Sequence, residues 1–244
     1  MKTIDTFSFA NVHPAWIPII KTALAAIDQR YLEQLVHTAD WLPGSNAIFN
    51  AFSMAPDAIQ YVLFGESPYP RKASANGYAF YDAAVSELFT EHGLEKRVNR
   101  ATSLRNFIKM LLLADGLLTK DDLSQDAIAK LNKTTLIRTN QELFQHLLNH
   151  GFLLLNASLV LQAKNKQQDA KAWRPFLLHI IQTLTQRSPN ITWLLFGNIA
   201  KAILPLLEQV GNDQIIVSEH PYNLSFIQKK QILQLFRPLK LLQR

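Results

Sequence analysis

Four short apolar runs constrain this chain more than anything else in it: IQYVLF (59–64), FLLLN (152–156), ITWLLFG (191–197) and QIIVSEH (214–220). A strand with one wet face alternates polar and apolar residues, whereas a continuous run is buried on both faces, as in a parallel sheet covered by helices. The intervening segments fit that arrangement. Residues 15–36 read as one amphipathic helix, 102–114 as a helix behind a Thr/Ser cap, and 141–150 as a helix ended by Gly151. Residues 173–187 and 198–210 read as further helices, the latter with an awkward Pro205, and a last helix begins near Ser225. DWLPGSN marks a loop whose Ser45 or Asn46 caps a helix over IFNAFSMA, and residues 65–79 form a long loop. Strands alternating with helices predict an α/β fold, a three-layer α/β/α sandwich around a central, mostly parallel four-stranded sheet. With no repeat and no linker, the expectation is a single domain over residues 1–244.

In such a sheet, ligands sit beyond the carboxyl ends of the strands. Those ends carry Gly65-Glu66-Ser67, Asn156-Ala157-Ser158, Gly197-Asn198 and Glu219-His220-Pro221. The first opens a rigid turn, GESPYP, that crowds Glu66, Ser67 and Tyr69 together. Taken singly these residues have ordinary roles: Asn156 caps a turn, Ser103 caps a helix, Phe80 and Tyr69 pack, and His220 satisfies a carbonyl. The chain has no cysteine, which excludes disulfides, thiolate metal sites, iron–sulfur clusters and a cysteine nucleophile. Its histidines show no ligand-like spacing, so neither metal nor cofactor is expected. No apolar run approaches the ~18–20 residues of a membrane span, and the first residues lack a signal-peptide core. The expectation is a cytoplasmic protein without membrane contact. A net charge of +6 favours a polyanionic partner such as nucleic acid. Basic residues follow strand ends, at Arg71 and Lys72, at Lys164, Lys166, Lys171 and Arg174, and at Lys229 and Lys230.

Read in order, LPGSNAIFNAF, GESPYP, ANGYAFYD, TSLRNFIK, GFLLLNASLVLQA, WLLFGNIAK and HPYNLS form a recognisable series. The chain resembles the uracil-DNA glycosylases, most closely the family-one branch, over roughly residues 15–235. The resemblance implies that Phe80 stacks on an extruded uracil, Asn156 hydrogen-bonds its Watson–Crick edge, and Tyr69 crowds its 5-position and excludes thymine. It implies that His220 donates to uracil O2, that Leu224 wedges into the duplex, and that Ser103 and Ser225 pinch phosphates; the basic residues after the strand ends add Lys164 as a candidate contact to DNA. The implied partner is uracil-containing DNA, single- or double-stranded, bound by a monomer. A base inside a duplex is unreachable, so chemistry on it needs flipping, stacking and an apolar wedge.

The pattern departs from the family at the first motif. The family's aspartate, which positions water and stabilises the sugar cation, falls on Ser67, and a serine hydroxyl is neither charged nor basic near neutral pH. Its glutamine is Glu66, its closing histidine is Pro70, and the first serine of the last loop is Tyr222. Gly-Glu-x-Pro also matches the iron–sulfur branch, whose cluster a chain without cysteine cannot hold. Glu66 is the candidate substitute for the lost aspartate, with Asp82 the alternative. Two functions follow: a base-excision repair glycosylase, slow through Ser67, or a catalytically impaired nucleic-acid-binding or partner-docking protein that keeps the pocket.

Overall fold

The computed structural model describes residues 6–38, 40–163 and 165–244. The central sheet has four strands: β1 (Tyr61–Gly65), β2 (Phe152–Asn156), β3 (Thr192–Phe196) and β4 (Ile215–Ser218), in the order β2-β1-β3-β4. β1 pairs in parallel with both β2 and β3. The α/β class and the parallel four-stranded sheet are as the sequence predicts. No described helix is long and apolar enough to cross a membrane.

Register sets which side chains share a face. Tyr61 lies opposite Phe152 and Thr192, so Val62, Phe64, Leu153, Leu155, Trp193 and Leu195 share one face. That face joins a core with Trp16, Ile20, Phe52, Trp173 and Phe176. Each such side chain contributes roughly 1.5–3 kcal/mol by leaving water. The opposite parity holds Leu63, Leu154 and Leu194, also buried, and it ends on Gly65 and Asn156, which are register partners.

The described chain groups into two compact units. The first comprises Met1–Asp82, Gly151–Leu195 and Ile199–Ile216; the second comprises Ala83–His150, Phe196–Asn198 and Val217–Arg244.

Several helices differ from the sequence reading for definable reasons. The expected helix over 15–36 is two, Ile17–Ala25 and Gln29–His37, because Asp28 caps the second by accepting from the Arg30 N–H at 2.8 Å. No α-helix covers IFNAFSMA. Only a 3-10 turn, Asn50–Phe52, forms, as Phe49 and Phe52 turn inward against Phe176 with centroids 6.3 and 6.2 Å away. Tertiary aromatic packing overrides the local cap signal there. The helix expected over 198–210 stops at Ile203, and Leu204–Leu206 continue as a 3-10 turn, since Pro205 has no N–H to donate. Helix Thr102–Ala114 has the expected bounds, but its N-cap is Ala101 with no side-chain cap, so Ser103 is not the cap. The last α-helix begins at Lys230, after a 3-10 stretch Leu224–Gln228.

The helix expected at 173–187 runs from Lys166 to Arg187. Its first two turns are polar and give no apolar period. They are held by Asp169, which is fully buried. Its carboxyl accepts from the Tyr31 hydroxyl (2.8 Å), the Gln162 N–H (2.7 Å) and the Gln162 side-chain amide (2.7 Å). Burial, and then the neighbouring Asp169, push the Tyr31 phenol well above its ordinary range. Asp169→Ala is expected to lower stability by about 1–3 kcal/mol, because the buried donors lose their acceptor. Urea unfolding would read it as a lower midpoint at unchanged slope.

Candidate active site

In the first unit the strand ends are stitched together by backbone. The Ala157 N–H donates to the Gly65 carbonyl (2.8 Å) and the Ser158 N–H to the Glu66 carbonyl (3.0 Å). The Ala79 N–H donates to the Leu154 carbonyl at 3.0 Å, which draws the segment carrying Phe80 onto β2. Asn156 is 4% exposed. It does not cap a turn. Its side chain lies over Gly65: a Cβ added to Gly65 would stand 2.5 Å from Asn156 Oδ1 and 2.9 Å from Ala79 Cβ. Glycine is therefore required there for clearance, not for a positive φ.

Phe80 has φ +63°, the left-handed region that non-glycine residues occupy at a cost of roughly 1–3 kcal/mol and that clusters at functional sites. Its carbonyl accepts from the Tyr69 hydroxyl at 3.3 Å. Burial, then the carboxylate of Asp82, pushes the Tyr69 phenol up to about 12. Asp82 is itself buried and accepts from the exposed Arg71 guanidinium at 3.1 Å. This pair ties the GESPYP loop to the segment after Phe80. Glu66 is exposed and Ser67 half-buried beside it.

In the second unit His220 lies two residues beyond β4, which ends at Ser218 rather than running on to 220. Its Nδ1 accepts from the Tyr222 N–H at 3.1 Å, which leaves the ring proton on Nε2. Gly197, at φ +85°, packs under it, and a Cβ there would stand 2.8 Å from His220 Cβ. The fully buried Asn106 secures the loop, its amide donating to the carbonyls of Pro221 (2.8 Å) and Tyr222 (3.3 Å). Leu224 is 71% exposed. The Ser225 hydroxyl donates to Glu219, and this bond, helped by Lys229 at 3.6 Å, holds the Glu219 carboxyl below its ordinary range. Ser103 is the second residue of helix Thr102–Ala114 and is half-buried. Lys164 lies outside the described residues.

The uracil DNA glycosylase superfamily model matches residues 52–240. The chain belongs to that superfamily. It is 30% identical over 220 residues to the uracil-DNA glycosylase of Exiguobacterium sibiricum, covering 88% of this chain and 86% of that protein. Against the uracil-DNA glycosylase of Campylobacter fetus subsp. fetus the identity is 27% over 181 residues, and the matched part is 64% of that protein, less than two thirds of its length. The wild-type UNG crystal structure from Nitratifractor salsuginis superposes with a TM-score of 0.90 at 38% identity, covering 96% of this chain and 94% of that one. The mimivirus uracil-DNA glycosylase structure, 17% identical with a TM-score of 0.60, shares the fold.

Within the superfamily frame, sequence reasoning did not single out Gly65 and Gly197 as clearance residues, nor the Arg71–Asp82 tie or Asn106. Asn106 left a signal: it is the one uncharged polar residue between Leu104 and Ala114 in an otherwise apolar or basic run.

Proposed function

We infer that this chain is a base-excision repair glycosylase that hydrolyses the N-glycosidic bond of uracil in flipped-out DNA nucleotides and leaves an abasic site. The observation that carries the reading is the nearly buried side chain of Asn156 close over Gly65, in the unit that also holds Tyr69 and the strained Phe80. In that unit Phe80 stacks on the base, Asn156 bonds its Watson–Crick edge, and Tyr69 excludes a 5-methyl group. In the other, the His220 Nε2–H donates to uracil O2 as negative charge grows there, Leu224 fills the space the base leaves, and Ser103 meets a phosphate. Ser225, already bonded to Glu219, is a phosphate contact only after that bond opens. Lys164 adds a basic contact to the DNA. Glu66 and Ser67 occupy the place of the family's water-positioning motif, and the chemistry consumes water alone. The protein acts as a cytoplasmic monomer on single- or double-stranded DNA.

The test is incubation with uracil-containing and control oligonucleotides followed by alkaline cleavage. Breaks at uracil alone support the reading. Binding without breaks assigns the second function, a nucleic-acid-binding protein on a glycosylase fold, which the serine at position 67 favours.

Gly65→Ala probes the uracil-recognition step directly. Overpacking of this kind costs about 1–3 kcal/mol, which in kcat/KM is a loss of about 5- to 150-fold if the Asn156 amide is what moves. Single-turnover excision, with a melting curve as the folding control, would read it.

A further inference from the structure

Tyr222 and Leu224 are the two most exposed large hydrophobic side chains among the described residues, at 65% and 71%, and only Asn223 separates them. Exposure here does not reflect a loose backbone. The Tyr222 N–H is bonded to His220 Nδ1 (3.1 Å), its carbonyl to the Asn106 amide (3.3 Å), and the Asn223 N–H to the His220 carbonyl (2.9 Å). The preceding Pro221 is buried. A large ring thus stands in solvent on a fastened backbone, with no aromatic or cationic partner among the described residues. Such a ring offers a flat apolar face at little further cost in backbone ordering. Where the resembled motif carries a serine, able only to hydrogen-bond, this chain presents a surface on which a nucleobase of any identity can stack.

Resting on the glycosylase reading, we propose that Tyr222 is a stacking platform for the base that neighbours the target nucleotide on the same strand. In a duplex that base is already stacked on both faces, so the gain falls on single-stranded or unpaired DNA. Tyr222 thereby sets strand preference, whereas Leu224 acts at the gap left by the extruded base.

The experiment measures binding, so that it stands apart from excision. A uracil-free single strand carrying an abasic analogue flanked by 2-aminopurine is titrated with wild type, Tyr222→Ser and Tyr222→Phe, each checked by melting curve. Losing one stacked base weakens the dissociation constant of Tyr222→Ser by about 5- to 150-fold, and Tyr222→Phe stays within about twofold of wild type. The 2-aminopurine quench is kept in Tyr222→Phe and lost in Tyr222→Ser, and the same substitutions change duplex binding less. Wild-type affinity in Tyr222→Ser, or equal weakness in Tyr222→Phe, which would make the hydroxyl the contact, overturns the proposal. So does wild type that fails to bind the strand. Absent uracil excision with the stacking pattern intact would overturn the glycosylase reading instead.

Discussion

Replacing His220 with leucine is expected to lower the single-turnover rate of uracil excision by about 10²–10³, the usual cost of removing one donor to developing negative charge. Cleavage of the glycosidic bond leaves electrons on uracil, and a donor aimed at O2 matters most when that charge is largest. The loss therefore belongs in the rate of the chemical step, with substrate affinity little changed. Two features of the loop make His220 suited to this. The Tyr222 N–H occupies Nδ1 at 3.1 Å, so the donor is Nε2–H. Gly197, at φ +85°, leaves room for the ring, where a Cβ would stand 2.8 Å from His220 Cβ and 3.3 Å from Cδ2. Gly197→Ala should lower the rate in the same direction with the imidazole still present, by displacing it. A His220→Leu protein that melts normally and excises uracil at the wild-type rate would take His220 out of the chemistry.

The sheet was legible because its signal is local: three of the four apolar runs are buried strands, whereas the fourth, Ile215–Ser218, lies at the end of the sheet with Val217 44% exposed, so its expected burial on both faces does not hold. Register was not legible, and neither was its consequence. That Asn156 comes to rest over Gly65 depends on which residue of β1 faces which residue of β2, and Gly65↔Asn156 is a pairing across 91 positions that no single run encodes. Helices failed where burial was not apolar. The first turns of Lys166–Arg187 are anchored by the Asp169 carboxyl, and an aspartate in a polar stretch reads as surface. The stretch around Phe49 failed for the opposite reason, since its aromatics serve a distant ring cluster rather than their own helix face. Of the proposed site, the strand tips were visible as polar residues after apolar runs. The Arg71–Asp82 tie was not, because an exposed arginine and an aspartate 11 residues on have no local pattern that pairs them.

Glu66→Gln is expected to lower excision by about 10²–10⁴, the range general-base assistance supplies. The reasoning starts from Ser67, which cannot hold charge near neutral pH and so cannot do what the family's aspartate does. Some carboxylate must orient water and face the sugar cation if the enzyme is to be fast. Asp82 is buried and already paired with Arg71 at 3.1 Å, so recruiting it would break that pair. Glu66 is exposed, and its backbone is held by the Ser158 N–H at 3.0 Å, so the side chain can turn while its Cα stays in place. Adjacent residues point differently, and the extra methylene of glutamate provides the reach to compensate. The double variant Glu66→Gln/Ser67→Asp makes this specific, because an aspartate at the family's position should recover most of the lost rate. Recovery would show that the defect lay in the missing carboxylate. Glu66→Gln with wild-type activity removes Glu66 from the mechanism, and loss with no recovery would mean that a carboxylate at position 67 of this loop cannot take over the role of Glu66.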